Sequence, residues 1–130
     1  MKMKIYYAHF MGIYDTLQEK RDIELLQTLG FDVLNPNTPE VQAGIEAWKE
    51  ANPEKDGDAL LTQYFGGLIK GCQAFAFRGI TPNQIPSGVY KELLVAQEIG
   101  LPIIELPGGL TQRALSVDST REYLREYGKR

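Results

Sequence analysis

Cysteine and histidine are almost absent from this sequence: Cys72 and His9 are the only ones in 130 residues. A single cysteine excludes an internal disulfide and a cysteine-rich zinc site. A single histidine excludes a His-x-x-x-His metal pair, and a Ser-His-Asp triad would have to use His9. No metal site and no cofactor is implied. Long apolar runs are missing too, with nothing near the ~18 residues that a membrane span requires. Met1-Lys2-Met3-Lys4 leads into a strand pattern and is not read as a signal peptide. No excess of basic charge is present: the net charge is −3 and the pI about 5.2, which argues against a nucleic-acid binder or a basic membrane-surface module. Neither G-x-x-x-x-G-K-[ST] nor a G-x-G-x-x-G after the first strand occurs, so the P-loop and dinucleotide fingerprints are excluded. A cytoplasmic protein is expected.

What remains has the length of one domain over residues 1–130. Strand-like runs (Lys4 to His9, Phe31 to Leu34, Cys72 to Phe77, Pro102 to Leu106) alternate with helical patterns. Asp15 or Thr16 opens a helix to about Leu29 with Ile23, Leu25, Leu26 and Leu29 as its apolar side, and Gly30 stops it. Thr38-Pro39 starts a helix through Trp48, Asp58 one that Gly71 closes, and Ser87 one that ends at Gly100. Ser116 or Asp118 opens a terminal helix through Tyr127. This alternation predicts an α/β fold: a small doubly wound, flavodoxin-like or Rossmann-like parallel sheet of four to five strands with helices on both faces.

In such a sheet the ligand crevice lies beyond the carboxyl ends of the strands, where strand order reverses. That edge gathers His9 to Tyr14, Asn35 to Asn37, Arg78 to Ser87 and Pro107 to Gly109. Glu92 stands out. At about 100° per residue it falls within the apolar arc of Val89, Leu93, Ala96 and Ile99, with Lys91 and Glu98 opposite. A carboxylate there is either a buried group satisfied by a backbone or tyrosine hydrogen bond, or one aimed at a ligand. Ser87-Gly88-Val89 at the helix start offers backbone N–H groups to an anion or a sugar hydroxyl, or is simply a cap. Arg78, directly after the third strand, suits a phosphate or carboxylate, or is a solvated loop arginine. Tyr6, Tyr7, His9 and Tyr14 surround the end of the first strand and could stack on a planar base, or belong to the core. His9 is the best placed of them for a polar contact.

Three segments carry a family resemblance. Ile5-Tyr6-Tyr7-Ala8-His9 looks like an opening strand of the form I-Y-L-A-G/H-P. Leu29-Gly30-Phe31-Asp32-Val33-Leu34-Asn35-Pro36 matches L-x-x-x-G-[FH]-x-V-x-x-P. Ser87-Gly88-Val89-Tyr90-Lys91-Glu92, then Ala96, Gly100-Leu101-Pro102 and Ile103, corresponds to G-[TV]-x-x-E-[LI]-G-x-A-x-x-x-G-K-P-V. In this order, from Lys4 to Leu106, the chain resembles the nucleoside 2-deoxyribosyltransferase-like family, which includes 2'-deoxynucleoside 5'-phosphate N-hydrolases.

The resemblance implies cleavage or transfer of the N-glycosidic bond of a (deoxy)nucleoside or its 5'-monophosphate, with Glu92 as nucleophile. Tyr7, His9, Arg78, Ser87, Gly88 and Val89 are the expected substrate contacts. A homodimer or larger homo-oligomer is also implied, and Tyr123, Leu124 and Tyr127 on the terminal helix are available to pack at home or across a subunit boundary. The chain departs from the pattern where the family has aspartates: those registers hold Tyr64 and Phe65 before the third strand, and Gln73 at its start. Leu93-Leu94 replaces the usual L-G. The proton donor to the leaving base therefore stays open among Asp58, Asp15, Tyr7, Tyr14 and His9. The competing expectation is a non-catalytic binder of a nucleotide-like small molecule on the same fold.

Overall fold

The computed structural model describes residues 2–80 and 84–106. Four β-rich segments, β1 (Met3–Ala8), β2 (Phe31–Leu34), β3 (Ala74–Phe77) and β4 (Ile103–Glu105), form one sheet in the order β2-β1-β3-β4. Every pair is parallel, with Ile5 opposite both Val33 and Ala74, and Phe75 opposite Ile103. The strands are connected by helices, as parallel pairing requires. These are α1 (Leu17–Thr28), α2 (Pro39–Ala51), a three-part helical stretch, and α5 (Ser87–Glu98). The three-part stretch runs from α3 (Gly57–Ala59) through a π-helical segment (Leu60–Phe65) into α4 (Gly66–Lys70). A 3₁₀ turn (Met11–Ile13) lies between β1 and α1. No helix among the described residues is long and apolar enough to cross a membrane.

Because side chains alternate along a strand, β1 feeds two cores. Tyr6 and Ala8 meet Ile69, Phe75, Val89 and Ala96 on the α4 and α5 side. Ile5 and Tyr7 meet Leu26, Ala74, Ala76 and Leu106 on the α1 side. The fold is thus α/β, a doubly wound parallel sheet with helices on both faces and four strands among the described residues. The expected terminal helix with Tyr123, Leu124 and Tyr127, and the Pro107 to Gly109 part of the crevice edge, lie outside the described residues.

Local signals account for the element ends. Thr16 and Thr38 cap α1 and α2, accepting from the backbone N–H groups of Glu19 and Val41. Gly30 and Gly100, at φ 98° and 80°, take the left-handed conformation that follows a helix. Two readings need correction. Ser87 is not the cap of α5: Pro86 holds that position in extended conformation, no side chain caps it, and Ser87 is the exposed first helical residue. The buried side of α1 is only half of the expected aliphatic arc: Leu26 and Ile23 pack on the core, Leu25 and Leu29 are exposed, and Glu19 and Asp22 face inward beside Leu26. The carboxylates turn in because buried partners await them.

Candidate functional site

Strand order reverses between β1 and β3, and a cleft of about 220 Å³ opens there beside the carboxyl ends of the strands. One wall is α5, contributing Gly88, Val89 and Glu92 below Pro86. The segment after β1 supplies His9, Phe10, Met11 and Tyr14. Pro36 follows β2, and Leu61 and Phe65 come from the π-helical segment, a conformation that recurs at functional sites. The lining is mostly apolar, and its polar side chains are those of Tyr6, His9, Tyr14 and Glu92.

Glu92 is 7% exposed. One carboxyl oxygen, Oε2, accepts a hydrogen bond from the Tyr6 hydroxyl, the only one it receives among the described residues. The other oxygen has no partner there, and since no buried side-chain oxygen or nitrogen among the described residues is left unpaired, it is not fully buried, and Glu92 lines the cleft. Burial pushes the Glu92 carboxyl up to about 7, against the opposing pull of the Tyr6 hydrogen bond. The Tyr6 phenol is also pushed well up, first by burial and then by the Glu92 charge, so it remains the donor. Of the two sequence readings of Glu92, the tyrosine hydrogen bond is present, and so is a cavity in front of the carboxyl.

The other expected contacts divide between two faces. Gly88 and Val89 line the cleft with Glu92, and a Cβ built at Gly88 would meet open space. Ser87 does not line it. Tyr7 and Arg78 are corrections: neither borders the cleft, because both point to the α1 side of the sheet. There the Tyr7 hydroxyl donates to Asp22, and Arg78 makes a two-pronged ion pair with it, Nε to Oδ2 and Nη2 to Oδ1 each at 2.6 Å. Gln18 donates to Asp22 as well. Asp22 and Arg78 are 2% and 6% exposed, so their pairing occurs where water screens little.

His9 borders the cleft with its ring, but its nitrogens are turned elsewhere. Nδ1 lies 3.1 Å from the Tyr7 carbonyl and Nε2 2.7 Å from Glu19 Oε2. Stacking on Tyr7 at 3.8 Å between ring centroids fixes the imidazole further. Glu19 also accepts from Asn37 Nδ2, tying the loop after β2 to α1.

The registers where the resemblance has aspartates hold no acid at the cleft. Phe65 presents a phenyl ring to it, Tyr64 donates to the Val41 carbonyl, and Gln73 lies at the amino end of β3, accepting from the Lys4 N–H at 2.7 Å. Asp58 is exposed and pairs with Lys91 on the outer side of α5. The sequence placed Phe10, Met11 and Pro36 at the crevice edge and Tyr6 near it without making them substrate contacts, and it did not bring Leu61 and Phe65 to the site. Tyr6 had a usable signal, since period-2 alternation separates it from Tyr7, but only the position of α5 says which face holds the cleft. The chain matches no family model and no curated protein sequence.

Proposed function

We propose that this protein cleaves or transfers the N-glycosidic bond of a (deoxy)nucleoside or nucleoside 5'-monophosphate, with Glu92 as nucleophile. One observation carries the reading: a carboxylate held by Tyr6 through a single oxygen, its second oxygen not fully buried, on a residue that lines an apolar-walled cleft. Breaking the bond builds positive charge at C1' of the sugar. A carboxylate in low-dielectric surroundings stabilises that charge strongly and can capture the carbon as a glycosyl ester. Water or a second base then releases the sugar. The N–H groups at the start of α5, left without a side-chain cap, suit a sugar hydroxyl or 5' oxygen beside Gly88 and Val89. The same reading carries a cytoplasmic homodimer or larger homo-oligomer.

Incubation with a mixed deoxynucleoside and deoxynucleotide pool, followed by chromatography, is expected to yield a free nucleobase. Glu92→Gln is expected to lower its rate of appearance by about 10⁴-fold or more, as removal of a nucleophile does. The apolar Phe65 ring in an acid's register favours the second reading, a non-catalytic binder. Calorimetric binding of a nucleoside or nucleotide with no base released at high protein concentration establishes that one instead.

A further inference from the structure

Resting on the N-glycosidic reading, we propose that Tyr14 is the proton donor to the departing base. The candidates narrow by geometry. Tyr7 lies on the opposite face of the sheet with its hydroxyl on Asp22. Asp15 accepts from Asn37 Nδ2 at 3.0 Å and does not line the cleft. Asp58 is held by Lys91. His9 has Nδ1 on a carbonyl, which only accepts, and Nε2 on Glu19, so neither ring nitrogen is turned to a ligand. The proton of Tyr6 is engaged by Glu92. That leaves Tyr14, which lines the cleft and whose hydroxyl has no hydrogen-bond partner among the described residues; since no buried polar side-chain atom among them is unpaired, this hydroxyl is not fully buried.

The local backbone holds the Tyr14 side chain in place. Tyr14 closes the 3₁₀ turn, its N–H bonded to the Met11 carbonyl at 3.1 Å. Its ring leans on His9 at 4.9 Å between centroids and 49° between planes. Asp15, the next residue, has φ 63°, a left-handed conformation that non-glycine residues rarely adopt and aspartate adopts more readily than most. The hold is visible: the Asp15 N–H donates to Glu19 Oε1 at 3.1 Å, Asn37 grips the Asp15 carboxylate, and Thr16 caps α1 directly afterwards. Burial, and then the charges of Glu92 and Glu19, push the Tyr14 phenol up to about 12, so it carries its proton at neutral pH.

The chemistry balances. The C1'–N bond breaks with its electron pair going to the base, a Glu92 oxygen bonds to C1', and the base takes the Tyr14 proton. Water then attacks C1' and returns a proton to the Tyr14 phenolate, while the ester bond breaks and Glu92 recovers its charge. The sum is hydrolysis to free base and free sugar. With a second base as acceptor, its own N–H proton returns to Tyr14.

The test compares wild type, Tyr14→Phe and Glu92→Gln on a pair of accepted deoxynucleosides whose bases differ in acidity by one ring halogen. Tyr14→Phe keeps the ring on His9, and its urea unfolding is expected to match wild type. On the less acidic base its kcat/KM is expected to fall by about 10²-fold or more, the usual contribution of a positioned acid. On the halogenated base, which leaves more readily unprotonated, the fall is expected to be several-fold smaller. An equal fall on both bases, or no fall on either, overturns the assignment of Tyr14 while base release abolished by Glu92→Gln leaves the cleavage reading standing. Wild type that releases no base from any nucleoside overturns both.

Discussion

Burial and hydrogen bonding pull the Glu92 carboxyl in opposite directions. Desolvation favours its neutral form, and the Tyr6 hydroxyl favours the carboxylate. Desolvation is the stronger, so the carboxyl sits near 7, where an ionised nucleophile forms across the neutral range. In Tyr6→Phe the shape is kept and the donor lost. A hydrogen bond to a charged group is worth about 1.5–3 kcal/mol, or roughly one to two pH units of acidity. The rising limb of kcat/KM with pH, set by ionisation of Glu92, is therefore expected to move up by that amount in Tyr6→Phe. A pH profile of base release checks it, and an unmoved limb means that Tyr6 does not tune the carboxylate. The sequence flagged Glu92 because a charge on an apolar helix arc is costly unless something compensates. It could not name the compensating partner, which is 86 residues away along the chain.

Among the elements that wall the cleft, the π-helical segment was least visible beforehand. Leu60, Leu61, Tyr64, Phe65 and Leu68 read as an ordinary helical stripe, and a widened turn leaves almost no mark on such a pattern. Its fit against α2 depends on Gly44, where an added Cβ would lie 2.0 Å from the Tyr64 hydroxyl and 2.8 Å from the ring carbon bearing it. Alanine in place of glycine within a helix normally stabilises by about 1 kcal/mol. Here Tyr64 would have to swing away and lose its 3.0 Å bond to the Val41 carbonyl, and overpacking of this kind costs about 1–3 kcal/mol. Gly44→Ala is thus expected to destabilise in urea unfolding, and to stabilise once Tyr64→Ala has removed the obstacle. A double-mutant cycle without that sign change disproves the contact. Tyr64 comes directly before Phe65, so the cleft wall and the α2 contact belong to one turn.

For the molecule as a whole, Glu92 links stability to pH. Its folded value of about 7 lies above the ordinary 4.5, so between these limits the folded state holds a proton that the unfolded state has released. The Glu92 contribution to stability is therefore expected to be fully present below about pH 4.5 and to be lost, by on the order of 3 kcal/mol, as pH rises through 7, levelling off above. Urea unfolding across this range measures the slope. Glu92→Gln, which cannot ionise, is expected to remove that part of it and to be the more stable protein at pH 8. A group that weakens the fold at neutral pH is the kind that function retains against stability.

The strands, the threonine caps, the left-handed glycines and the α/β alternation were all legible because each depends on residues within a few positions of one another. Glu92 was legible as an anomaly for the same reason. Which face of β1 meets the cleft, and therefore that Tyr6 and not Tyr7 touches Glu92, was settled only by the packing of α5 across the sheet. The pairing of Arg78 with Asp22, 56 residues apart, and the inward turn of the polar side of α1 were likewise decided by tertiary contact. A local pattern records backbone preference and periodicity. It does not record which distant group will be present to satisfy a buried charge, and in this protein those distant groups separate the ion pair under α1 from the open carboxylate at the cleft.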